Sequence, residues 1–214
     1  MARPPRGARR SPRPIRYPHR LRRHPVLAVT LLALLVLGVL ARRVGWPGTS
    51  DDVSRYDNQV FTVVRVVDGD TLDLNIPDGR YPTTRVRLWG VDTPEVEGSP
   101  VGAMYFGREA STFTRRMVLN RTVRVVLAPA RTRDKYERLL AYVHLEPDGP
   151  CLNEQLLETG HAYADPRFDH PFKRDYLALE ERARRADRGL WPGVTFEQFP
   201  AWRQRMGTRD RSTP

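Results

Sequence analysis

The stretch from Val66 to Glu95, VVDGDTLDLNIPDGRYPTTRVRLWGVDTPE, constrains this chain more than any other. Two strand-like runs, Thr71 to Ile76 and Tyr81 to Val91, flank Pro77-Asp78-Gly79, a tight-turn signal between paired strands. Asp68, Asp70, Asp92 and Glu95 stand where these runs meet turns, and Arg87 lies inside the second run. Carboxylates crowded at strand ends oppose folding unless a cation neutralises them. Two such carboxylates with a backbone carbonyl and water make a hard-oxygen site suited to Ca²⁺, or to Mg²⁺ or Mn²⁺.

The rest of the chain supplies the architecture. Asn58 to Val67 alternates and is rich in Val, Phe and Thr, which predicts a strand before the central stretch. After Pro94 the period changes, with Met104, Ala110, Phe113 and Met117 at helical spacing. Thr122 to Leu127 and Leu139 to Leu145 read as two further strands, separated by a charged loop, Pro129 to Arg138. Cys151 to Thr159 and Phe172 to Arg188 read as helices, with Gly189 as a stop and Trp191 as a core plug. Three strands, a helix, two strands and then helices fit an α+β chain, a five-stranded OB-type barrel with appended helices. The lone cysteine, Cys151, has no partner in spacing and reads as packing; with no CxxC or HxxxH pattern, a zinc site is not expected.

Charge has to be located before it is interpreted. The chain carries 36 Lys and Arg against 25 Asp and Glu, a formal charge of +11, which on its face suggests a nucleic-acid footprint. Eleven of those bases are arginines within residues 1–43, where there is no acid, so 25 bases face 25 acids in the remainder. The remaining chain is formally neutral. Any field that attracts a polyanion must therefore come from local clusters.

The basic segment instead concerns membranes. Residues 1–24 form a basic n-region, and 25–41 contain the apolar run Val26 to Ala41, followed by Arg42 and Arg43. Sixteen residues span roughly 24 Å as a helix, short for a bilayer core but sufficient with snorkelling arginines or local thinning. The flanking charge predicts an N-terminus inside and a domain outside. Two readings stand: a single-pass anchor, or a signal peptide cleaved near Ala41. Residues 42–56 read as a linker, 57–192 as the folded domain, and 193–214 as an aromatic, charged tail without periodicity.

Taken one at a time, the polar motifs have ordinary explanations. DGDT is a common turn between strands, DTPE resembles a helix N-terminus, and Arg87 alternating with Arg85 describes a solvated strand face. Arg131, Arg133, Lys135 and Arg138 make a basic loop that surface solvation alone would explain. In combination they form a set. Asp70 and Asp92 are candidate metal ligands, and Glu95 is placed to act on a metal-bound water as general base. Arg87 and Arg138 present fixed donor forks to a phosphodiester whose charge grows in the transition state. That is equipment for phosphodiester hydrolysis.

VDGDTLDL, RLWGVDTPE, FGREASTFTRRM, RDKYERLLAYV, LNEQLLETGHA and the closing GLW, in that order and spacing, resemble the staphylococcal nuclease (thermonuclease) family over Phe61 to Trp191. The resemblance implies an OB-fold barrel with three helices and a Ca²⁺-dependent nuclease that cleaves DNA or RNA to 3′-phosphate products, expected as a monomer. It implies that Asp70, Asp92 and, through its carbonyl, Thr93 hold Ca²⁺. It makes Glu95 the water-activating glutamate, Arg87 and Arg138 the phosphate-binding arginines, and Lys135 and Tyr136 the residues flanking the nucleotide phosphate. The chain departs from the family in places. Glu137 and Leu139 replace glycines around Arg138, and Glu137 is expected to pair with that arginine. Asp165, Pro166 and Phe168 stand where two tyrosines would face the base. A non-catalytic OB module binding single strands in the cell envelope is the alternative, as is a structural envelope protein with a vestigial site.

Overall fold

The computed structural model describes residues 49–128 and 131–210. In chain order the elements are α1 (Thr49–Tyr56), β1 (Gln59–Val66), β2 (Thr71–Leu74), β3 (Thr84–Leu88), β4 (Val91–Asp92), α2 (Gly107–Val118), β5 (Thr122–Leu127), β6 (Leu139–Leu145), α3 (Leu152–Glu158), β7 (Tyr163–Ala164), α4 (Lys173–Arg185) and α5 (Ala201–Asp210), with one 3₁₀ turn at Phe196–Gln198. Five strands close a barrel in the order β1-β2-β3-β6-β5, in which only β3 and β6 run parallel. This is the α+β, five-stranded barrel with helices that the sequence predicts.

Alternation decides what each strand offers. In β3, Thr84, Val86 and Leu88 are buried while Arg85 is exposed and Arg87 half-buried on the outer face. Each aliphatic side chain turned inward this way contributes on the order of 1.5–3 kcal/mol. Register then sets Arg87 across from Thr71, the residue after Asp70. The long strand expected over Tyr81 to Val91 is broken. Gly90 turns the chain at φ +78°, and a Cβ there would lie 2.6 Å from Cε1 of His170. Beyond the turn, β4 leaves the barrel and pairs with β7, matching Asp92 to Tyr163.

Helix α2 buries Ala110, Thr114 and Val118, one turn apart, against the barrel. Thr114 donates its hydroxyl to the carbonyl of Gly69 at 2.6 Å, tying the helix to the DGD turn. Met104 lies ahead of this helix and donates its N–H to the Glu95 carbonyl at 2.9 Å. DTPE is therefore not a helix start.

Both ends of the expected domain are extended. Residues 49–56, expected within the linker, form α1. Its Tyr56 is fully buried, and its buried Asp52 accepts from the guanidinium of Arg133 and, at 2.8 Å, from Thr132 Oγ1. Those partners lie about eighty residues away, where local pattern cannot reach. Beyond residue 192, α5 buries Trp202 with Tyr163, Leu190 and Trp191. The anchor or signal segment expected at 25–41 lies outside the described residues. Among the described residues no helix is long and apolar enough to cross a membrane.

Candidate active site

A groove of about 980 Å³ runs over the outer ends of β2 and β3, lined by Asp68, Asp70, Arg87, Asp92, Glu95 and Arg138. The β1–β2 turn delivers the first carboxylate. Asp68 caps its own turn, its Oδ1 accepting from the Asp70 N–H at 3.1 Å. Gly69 is required by proximity, since a Cβ there would fall 2.6 Å from Thr93 Oγ1. Asp70 is buried, its Oδ2 accepting from the Thr93 N–H at 2.7 Å and the Thr93 hydroxyl at 3.1 Å, while Oδ1 accepts from the Thr71 hydroxyl at 3.2 Å. Thr93 is thus beside Asp70. The bonds it makes there run through its N–H and hydroxyl, and they orient the carboxylate.

Arg87 lies between the two aspartates. Its Nη1 pairs with Asp70 Oδ2 as an ion pair without an aligned hydrogen bond, and its Nη2 donates to Asp92 Oδ1 at 2.5 Å. Asp92 Oδ2 accepts from the indole N–H of Trp202 at 2.7 Å, and Arg167 Nη2 stands 3.8 Å from Asp92 Oδ1. Burial pushes the Asp68 carboxyl up, against the opposing pull of Arg87. Glu95 differs from the aspartates: it lines the groove, and among the described residues its carboxylate has no hydrogen bond or ion pair.

The loop before β6 supplies the second guanidinium. Arg138 reaches across to Thr71 Oγ1 at 3.4 Å. Its expected partner Glu137 does not hold it; Asp134 does, its Oδ2 accepting from Nε at 2.7 Å and lying 2.7 Å from Nη2 as an ion pair. Glu137 adopts φ +62°, the left-handed conformation that favours glycine, and its side chain is exposed. Lys135 and Tyr136 are exposed at the groove, and the Tyr136 ring lies 4.9 Å from Lys135 Nζ and 5.4 Å from Arg138 Cζ. Arg133, in the same basic run, has a structural role, bridging Asp52 and Asp78. Asp165 is buried in a two-pronged pair with Arg167, and Phe168 packs on Trp89 with ring centres 4.9 Å apart.

The donor set fits a hard cation. One guanidinium bridges Asp70, through Nη1, and Asp92, through Nη2, so the two carboxylates flank a single positive group. Among the described residues no three Asp, Glu, His or Cys side chains converge as a metal cage. Carbonyl oxygens and water would therefore complete the shell, as is usual for Ca²⁺ and Mg²⁺.

Glu95 owes its place to a close backbone approach. A Cβ at Gly107 would lie 2.0 Å from the Glu95 carbonyl oxygen. Gly107→Ala is expected to destabilise the domain by about 1–3 kcal/mol through overpacking. It should also displace Glu95, so kcat should fall even well below the melting temperature; thermal unfolding and steady-state rates on one sample check both.

Sequence patterning missed four residues that shape this site: Asp134, Thr114, Arg167 and Trp202. Asp134 had a signal, an acid four positions before Arg138. Trp202 had none, because its segment lacks periodicity and its partner is 110 residues earlier.

Residues 85–193 match the family model described as staphylococcal nuclease homologue. The chain is 31% identical over 166 residues to the thermonuclease of Staphylococcus hyicus, covering 77% of this chain and 95% of that protein. It is 32% identical over 164 residues to the thermonuclease of Staphylococcus intermedius, covering 75% and 91%. It is also 31% identical over 142 residues to an uncharacterized endonuclease of Escherichia coli O157:H7, covering 65% and 80%.

Proposed function

The chain belongs to the staphylococcal nuclease family and is a hydrolase of nucleic-acid phosphodiester bonds; on that premise we propose that it is Ca²⁺-dependent, cleaving DNA, RNA or both to 3′-phosphate products. The observation that carries this reading is that Asp70 and Asp92 flank one guanidinium, with a Glu95 that is unpaired among the described residues and the Arg138 guanidinium in the same groove. Asp70 and Asp92 would hold the ion, with Thr93 contributing its carbonyl. Bound there, Ca²⁺ supplies Lewis acidity toward a phosphoryl oxygen.

The protein's own groups do the rest. Glu95 accepts a proton from the water that attacks phosphorus. Arg87 and Arg138 donate to the non-bridging oxygens, where negative charge grows as the P–O5′ bond breaks. Phosphate stays on the 3′ side, and the departing 5′ oxygen takes a proton from solvent. Lys135 and Tyr136, exposed beside Arg138, flank the phosphate of the bound nucleotide.

The test is cleavage of plasmid DNA and of a single-stranded RNA by the full chain. Cleavage with Ca²⁺ that disappears in EDTA is expected; persistence of the same rate in EDTA would sink the metal assignment. Retention of the polymer without cleavage would instead favour the single-strand-binding OB module.

The asymmetric N-terminal segment supports a nuclease domain outside the cytoplasm, either tethered through residues 25–41 or released after cleavage near Ala41. The mass of the mature protein decides between the two.

A further inference from the structure

We propose that Trp202, on the C-terminal helix α5, is a positioning residue for Asp92, fixing that carboxylate so that one oxygen alone is presented to the cation. The inference rests on the reading of Asp92 as a Ca²⁺ ligand. Its basis is the division of labour between the two oxygens. Oδ2 takes the indole N–H of Trp202 at 2.7 Å, while Oδ1 faces Arg87 Nη2 at 2.5 Å, on the side of the groove where Asp70 converges. A neutral donor on Oδ2 holds the rotamer without adding a charge to the carboxylate, and it leaves Oδ1, which faces the Arg87 guanidinium, as the oxygen turned to the groove.

Trp202 is itself held from several sides. It is 7% exposed, in the cluster with Tyr163, Leu190 and Trp191. The next residue, Arg203, forms a two-pronged pair with buried Glu180 at 2.7 and 3.0 Å, and Glu180 Oε2 also accepts from the Ala164 N–H at 2.7 Å. Ala164 is in β7, whose neighbouring residue Tyr163 pairs with Asp92. Helix α5 and the metal carboxylate are therefore braced on the same two-stranded ribbon. Arg167 stacks on the outer face of this arrangement, its Cζ 4.6 Å from the Trp202 ring centre.

Packing alone does not account for the indole contact. In the same cluster the indole nitrogen of Trp191 is buried with no hydrogen-bond partner among the described residues, so this core accepts a tryptophan without a bond. That of Trp202 is aimed at a carboxylate of the site. An indole placed only to fill space has no reason to meet that carboxylate.

The test compares the full wild-type chain with Trp202→Phe, which keeps an aromatic ring and removes the donor. Calorimetric titration with CaCl₂ gives the affinity, and thermal unfolding in EDTA gives the fold. Calcium is expected to bind the variant about ten- to a hundred-fold more weakly, the range for loss of a partner that orients a metal ligand. An affinity within twofold of wild type would overturn the proposal, whatever the change in Tm. If Trp202→Phe does not fold, 3-benzothienylalanine at position 202 keeps the bicyclic shape and lacks only the N–H, and the same two outcomes apply. A wild-type chain that shows no calcium isotherm would overturn the metal reading itself, and this inference with it.

Discussion

Glu95→Gln is expected to lower kcat by about 100- to 10,000-fold, the usual contribution of a positioned general base. KM and the melting temperature should change little. Among the described residues no hydrogen bond or ion pair holds the Glu95 carboxylate, so replacing it by an amide breaks no fold contact. What the amide cannot do is accept the proton of the attacking water. Calcium affinity should also survive, because the group that faces both aspartates is Arg87 and not Glu95. Steady-state kinetics on plasmid or oligonucleotide, with a Ca²⁺ titration of the same variant, separate the two possibilities. Turnover within tenfold of wild type would remove Glu95 from the role of base.

Arg87→Ala should produce two losses of different kinds. As a donor to phosphate oxygens, the guanidinium contributes about 100- to 1,000-fold in rate by analogy with other transition-state donors. It is also the cation that faces both Asp70 and Asp92 in this structure, with only 14% of its side chain exposed. Removing one member of a buried ion pair costs on the order of 3–5 kcal/mol, because the partner charge is left uncompensated. Here two carboxylates would be left. The variant should therefore melt well below wild type in EDTA, and Ca²⁺ should restore much of the difference by binding the folded state only. Activity should not return with it. Equal melting in EDTA for both proteins would show that Arg87 is not the cation that screens these aspartates.

Several of the structural outcomes were already written in local sequence. Alternation of small inward and long outward residues in β3 fixed both the barrel wall and the outward direction of Arg87. The Pro77-Asp78-Gly79 turn brought β2 and β3 into a hairpin, and hairpin register placed Arg87 beside Thr71 and hence near Asp70. Motif spacing identified Asp70, Asp92, Glu95 and Arg138, and the groove contains all four. Where the reading stopped, the reason was range. Asp52, Tyr56 and Arg133 form a brace across about eighty residues, so α1 looked like linker and Arg133 like another basic residue of a loop. Asp134 against Glu137 turned on a single backbone conformation, φ +62° at Glu137, which leaves that side chain exposed and Asp134 as the partner of Arg138.

The sequence by itself determined the barrel, the family and the polar residues that converge in the groove, because strand period, turn chemistry and motif spacing act over a few residues. Only the tertiary structure decided how those residues are held. The break at Gly90 that sends Asp92 to β7, the grip of Thr93 on Asp70, and the approach of Trp202 from the C-terminal helix all depend on segments distant in the chain. Such contacts form by packing and mutual exclusion of water, and no local pattern encodes them.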